Sequence, residues 1–326
     1  MRHPVPRRSL LAVTIPLLAA PAMLRAQPVT REVRLVVGFS AGGSVDALAR
    51  IVAQHLPSQI GRPVVVENRT GAGGFIGLQA VANAPPDGHV LAIASGFNLA
   101  VSPVLPGITM PINPDRDLTP ICGVGRGAMV LCARPNAPFA TMAELVAHAS
   151  RPGTRLTCGH GGAGSSPHLM AARMAQQAGI NLDFVAYRGG APALLDLMAG
   201  RIDLYFALLP EALQHIRAGG MRGLAVATAA PHPTLPDLPT MTSTLPGLVG
   251  GSWWGLAGPA GLSPEWVSYW TREMQTVLET PAVKERLATS LIDRDTPDTA
   301  AYRQEIVTER RIWAEVITKA GIRVES

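Results

Sequence analysis

Cysteine is nearly absent: Cys122, Cys132 and Cys158 are the whole complement of a 326-residue chain. Three is odd, so at least one thiol has no partner within the chain. There is no Cys-x-x-Cys pair and no His/Cys cluster at zinc-ligand spacing, which excludes a disulfide framework, a thioredoxin-type site and a structural zinc site. Cys122 and Cys132 flank one apolar stretch; as a single strand at ~3.3 Å per residue it holds them beyond disulfide reach. Buried structural thiols are expected, with no metal and no cofactor. Charge is also sparse, at 16% of residues against the ~25% usual in soluble domains. Beyond the first 26 residues no run is long and apolar enough to span a bilayer, so a mature chain that does not cross a membrane is expected.

The first 26 residues are of a different character. Arg2, Arg7 and Arg8 precede an apolar stretch from Leu10 to Leu24, broken by Pro16 and Pro21, and Ala26 offers a small residue for cleavage. This is the pattern of a secretory signal, and Arg7-Arg8 leaves a twin-arginine route open. Residues 1–26 hold four arginines and no acid, so their removal lowers the formal net charge from +5 to +1. A near-neutral mature chain carries no electrostatic footprint for nucleic acid or an anionic membrane surface. A periplasmic monomer is expected.

The remainder alternates short β-rich runs with amphipathic helices. Val33–Val37, Pro63–Glu67 and Val90–Ala94 read as strands, with a helix carrying Val45, Leu48, Val52 and Leu56 after the first. Ser44 is expected to cap that helix. A second series holds strands at Ala128–Ala133, Arg155–Cys158, Phe184–Tyr187, Ile202–Phe206 and Leu224–Thr228, with helices between. Such alternation predicts α/β lobes with parallel sheets. Gly/Pro-rich crossings near 123–127 and 229–239 divide the chain into a discontinuous first lobe, 27–124 with 229–326, and an inserted second lobe, 125–228.

Two motifs carry chemistry. Gly38-Phe39-Ser40-Ala41-Gly42 fits the Gly-x-Ser-x-Gly nucleophile elbow between strand and helix. A hydrolase using Ser40 is disfavoured by the order of parts: the elbow falls on the first mature strand, and the last histidine is His232. Gly159-His160-Gly161-Gly162-Ala163-Gly164 fits Gly-x-Gly-x-x-Gly, but Asp183 precedes its strand, whereas a ribose-binding acid follows one. What the glycines do provide is close backbone approach to an anion, beside the positive end of a helix starting near Ser165. The alternative is a tight turn with Ser165 as a helix cap. Trp253-Trp254 reads as core packing ahead of ligand stacking.

Several stretches together resemble the Bug-type solute-binding proteins of tripartite tricarboxylate transporters. Leu35–Asp46 looks like their opening Pro-Phe-x-x-Gly-Gly-x-x-Asp loop, and Val64-Val65-Val66-Glu67-Asn68-Arg69-Thr70-Gly71-Ala72-Gly73-Gly74 is similar to their VVENRPGAGG segment. Pro86-Asp87-Gly88, Gly164–Leu169, Tyr187–Pro192 and Ser252–Gly255 follow in the family's order. The resemblance implies a type II, two-lobed periplasmic binding protein of Venus-flytrap form, with two hinge-crossing strands and no catalytic residue. It implies capture of a small organic carboxylate for membrane subunits of a transporter, or for a sensing receptor with the same fold. Matching positions put Phe39, Ser40, Ala41, Gly42, Gly43 and Ser44, Asn98, Gly164, Ser165 and Ser166, Tyr187, Arg188, Gly189 and Gly190, and Ala207 and Leu208 at the ligand. Gly38 stands where the family usually has proline, and Ala207 where many members carry aspartate. The second departure favours an uncharged or purely acidic ligand over an amino acid.

Overall fold

The computed structural model describes residues 29–324; the expected leader, residues 1–26, lies outside them. In chain order the elements are β1 Val33–Val37, α1 Ser44–His55, α2 Pro57–Ile60, β2 Val64–Asn68, α3 Phe75–Ala82, β3 Val90–Ser95, α4 Pro114–Asp117 and β4 Leu118–Ala133. Then come α5 Met142–Ala149, β5 Leu156–His160, α6 Ser166–Ala178, β6 Leu182–Ala186, α7 Gly190–Met198, β7 Leu204–Leu208, α8 Leu209–Arg217 and β8 Arg222–Val226. The chain ends with β9 Gly251–Pro259, α9 Pro264–Glu279, α10 Pro281–Thr289, β10 Asp293–Arg294 and α11 Thr299–Ala320. Among the described residues no helix is long and apolar enough to cross a membrane.

The strands order as β2-β1-β3-β9-β4-β7-β5-β6, with β8 and β10 also paired to β4. β1 pairs in parallel with β2 and β3, and β5 in parallel with β6 and β7. These are the two α/β lobes. The inner strand β3, Val-Leu-Ala-Ile-Ala-Ser, has all six residues buried because helices cover both faces, whereas the edge strands β2 and β6 carry Glu67 and Asp183. On one face of the first sheet Val37, Leu48, Val52, Ile93, Leu256 and Trp270 pack together; on the other Val36, Phe75, Leu78, Ala92 and Tyr302 do.

β4 joins the lobes. It pairs antiparallel with β9 from Leu118 to Ala128 and with β7 from Met129 to Ala133. The glycine-rich crossing expected at 123–127 is therefore inside one sixteen-residue strand. Glycine serves close approach there, not a turn: a Cβ at Gly127 would meet the Trp254 ring at 2.8 Å. After β8, Met241, Leu245 and Leu248 pack into the core around Met129, Leu169 and Phe206, so the passage toward β9 completes only at Gly250–Gly251, beyond the expected crossing at 229–239. α11 touches both lobes, with Tyr302 and Ile306 in one core and Trp313, Val316 and Ile317 in the other.

The three cysteines are buried and carry no disulfide. Ser44 is not a cap: Gly43 holds that position and Ser44 is the first residue of α1.

Candidate functional site

The loop after β1 is tied down from beneath. Asp46, in the first turn of α1, accepts from the Gly42 N–H at 2.9 Å, from Arg50 Nε at 2.8 Å and from Asn68 Nδ2 at 2.9 Å. Asn68 also donates to the Phe39 carbonyl at 3.0 Å. Burial alone would raise the Asp46 carboxyl, but the bonds from Arg50, Gly42 and Asn68 outweigh it and hold it at about 2. The most distinctive motif residues of both opening segments thus meet one another. They shape the loop that presents Phe39, Gly43 and Ser44.

Across from that loop, β5 runs into the glycine turn and α6. The turn's N–H groups are partly spent within the protein: Gly162 donates to His160 Nδ1 at 3.2 Å and Gly164 to His168 Nδ1 at 3.3 Å. Ser165 takes the N-cap position of α6 with extended backbone, yet its hydroxyl accepts no helix N–H. That Oγ is buried and has no hydrogen-bond partner. The first N–H groups of a helix also lack intrahelical acceptors, and the helix dipole makes this end positive.

A cavity of about 460 Å³ opens between the two loops. Of the residues expected at the ligand, Phe39, Gly43, Ser44, Ser165, Ser166 and Leu208 line it. The others do not. Ser40, Ala41 and Gly42 are exposed on the outer side of their loop. Asn98 is buried beneath the cavity, accepting from Ser95 Oγ at 2.7 Å and donating to the Gly73 carbonyl at 2.8 Å, and so supports the lining residues Ser95–Phe97. Gly164 lies under Leu105 with φ of 74°. Tyr187 donates its hydroxyl to Asp196 at 2.9 Å, and Arg188 is exposed. Gly189 and Gly190 start α7, and Ala207 is fully buried in β7.

The lining includes residues the sequence reading missed. Trp253 and Trp254, at 5% and 4% exposure, are core residues, as expected, and also line the cavity. Phe97, Leu169, Met170 and Trp313 extend the apolar wall. Two acids line it as well, Glu211 from the first turn of α8 and Glu309 from α11. Glu211 is exposed to solvent at the cavity; the protein around it raises its carboxyl, and a bond from the Leu208 N–H opposes this. Burial raises Glu309, which accepts from Trp313 Nε1. None of the described lining residues is Arg, Lys or His.

The family model described as the tripartite tricarboxylate transporter family receptor matches residues 48–322. The chain belongs to that family. Protein BugT of Bordetella pertussis is 32% identical over 318 residues, 94% of each chain. An R. palustris protein solved with adipate is 31% identical with a TM-score of 0.77, over 91% of this chain and 99% of that one. The periplasmic binding protein BugD is 31% identical with a TM-score of 0.71, over 90% and 99%. Tripartite tricarboxylate receptors are solute-binding proteins, so the resemblance drawn from Leu35–Asp46 and Val64–Gly74 holds for the chain, and with it the two-lobed periplasmic-binding-protein fold.

Proposed function

We propose that this receptor captures a small organic carboxylate outside the cytoplasm, after removal of residues 1–26, and delivers it to the membrane subunits of a tripartite transporter without chemical turnover. The observation that carries the reading is Ser165: a buried hydroxyl with no partner, at the N-terminus of α6, lining a cavity between two lobes. A buried polar group left unmade costs about 1–3 kcal/mol, and a ligand oxygen there removes that cost. The carboxylate ligand of the R. palustris relative supports the same class. We take the lobes to be those read from the sequence, built on β1–β3 and β5–β8. β4 and β9 connect them and α11 lies across both. Closure about β4 and β9 would bring Phe39–Ser44 and Ser165–Ser166 onto opposite ends of the ligand.

The test is a thermal-shift screen of the mature chain against mono- and dicarboxylates. A ligand that binds only the folded state raises stability by RT ln(1 + [L]/Kd), so a dose-dependent rise is expected for at least one carboxylate. A flat response across the panel overturns the reading, as does ester turnover that disappears in Ser40→Ala.

A further inference from the structure

The cavity is unusual for an anion site in what faces the ligand. Its donors are neutral: Ser44, Ser95, Ser165, Ser166 and Ser252, plus backbone N–H groups. Its charged groups are both acids. Among the described residues no Lys, Arg or His lies within salt-bridge distance of Glu211 or Glu309. Glu309 is the better compensated of the two. It faces the charge of Arg173, whose guanidinium lies 5.8 Å from the Trp313 ring centroid, and more weakly that of Arg126. Glu211 has no such cation.

The position of Glu211 shows what it displaces. A Cβ at Gly190, the first residue of α7, would meet Glu211 Oε2 at 3.1 Å. The protein's own carboxylate therefore lies against the helix N-terminus where Tyr187–Gly190 were expected to meet the ligand. Of the α6 and α7 N-termini, only that of α6 lines this cleft, with the unpartnered Ser165 hydroxyl beside it; that of α7 lies outside the lining and has the Glu211 carboxylate near its first residue. A dicarboxylate held at α6 that directs its second charge toward Glu211 meets an acid with no cation beside it, since Arg126 and Arg173 lie with Glu309. The rest of the wall is aromatic, from Phe39, Phe97, Trp253, Trp254 and Trp313, and aromatic faces attract alkylated ammonium groups.

We infer that the cleft selects a small zwitterion, its carboxylate at Ser165 and an alkylated ammonium group toward Glu211 and the aromatic wall. This rests on the capture reading above. It reverses the preference for an uncharged or purely acidic ligand drawn from Ala207, because Glu211, four residues on, supplies the acid that Ala207 lacks.

The experiment uses three probes of matched length on the mature chain: trimethylammonio-butyrate, the carboxylate isostere with a tert-butyl group in place of the ammonium, and glutarate. Calorimetry gives each Kd. The zwitterion is expected to bind at least about tenfold tighter than either competitor, and Glu211→Gln is expected to reduce that ratio to about threefold or less. Since the isostere differs only in charge, equal or tighter binding of the isostere or of glutarate overturns the inference, and so does a ratio that Glu211→Gln leaves unchanged. Failure of all three probes also overturns it. The capture reading is judged separately, by the broader carboxylate screen.

Discussion

His160 and His168 stack with ring centroids 4.0 Å apart and planes at 15°, and each accepts a backbone N–H from the glycine turn through Nδ1. An imidazole that accepts at Nδ1 is neutral. Burial lowers both, and His168, which also faces His160, falls to about 4 from 6.5. In the unfolded chain these rings take up protons as pH falls below about 6.5, while in the folded chain His168 does not until about 4. Stability is therefore full above about pH 6.5 and is lost as pH falls toward 4, by on the order of 3 kcal/mol for His168. Denaturant titrations at about pH 7.5 and about pH 4.5 measure the difference. It is expected to shrink in His168→Gln, and a difference unchanged by that substitution refutes the assignment.

Asp46 and Arg50 share a bond, yet their losses are expected to be unequal. Asp46 is buried, and its removal also leaves the Gly42 N–H and Asn68 without their acceptor. Asp46→Ala is expected to cost about 2 kcal/mol or more, and to weaken ligand capture by loosening Phe39–Ser44. Arg50 is exposed, so Arg50→Ala is expected to cost much less than Asp46→Ala. Equal losses in equilibrium unfolding would show that the loop is not held through Asp46.

The sequence carried the frame because its strands and helices are set by local pattern. Val33–Val37 is apolar but for Arg34 and Val90–Ala94 is apolar throughout, and Val45, Leu48 and Val52 repeat at helical spacing. β4 was legible in part: Ala128–Ala133 reads as a strand and 123–127 as a hinge strand. That one strand runs from Leu118, with Gly123, Gly125 and Gly127 each packed against a neighbour, was hidden. Part of the cavity lining was legible for a related reason. Phe39, Ser44 and Ser165 lie beside glycines and at helix starts, where local chemistry announces itself. Glu211 and Glu309 do not, because an acid on a helix is ordinarily solvated; Glu309 is half-buried by the packing of α11, and Glu211, though exposed, faces the cavity. One signal for Glu211 did exist: it lies three residues past the carboxyl end of β7, where ligands of open α/β sheets bind.

The thiols give a test of the cores that does not depend on any ligand. Cys122, Cys132 and Cys158 are fully buried, and burial pushes Cys132 and Cys158 up to about 12. A thiol that stays protonated and covered does not react. A chromogenic disulfide reagent is expected to register none of the three in the native protein and all three in denaturant. A thiol that reacts at once under native conditions would place that cysteine outside its core.

Ser165 separates a structural turn from a binding one. As a cap, its loss would cost about 1 kcal/mol of stability and leave affinity alone. Its hydroxyl, however, accepts no helix N–H and is buried without a partner. Ser165→Ala is therefore expected to leave the melting temperature unchanged or slightly raised, because an unsatisfied polar atom is removed. The same substitution deletes a hydrogen bond to a charged ligand oxygen, worth about 1.5–3 kcal/mol, or roughly ten- to a hundredfold in Kd. Melting curves of Ser165→Ala and Ser166→Ala, each with and without a carboxylate found by the screen, read both effects at once. The Ser165 substitution should reduce the ligand-induced shift. A lowered melting temperature with an unchanged shift would instead assign Ser165 to the turn alone, and the anion site would have to be sought at Ser44 and the loop held by Asp46.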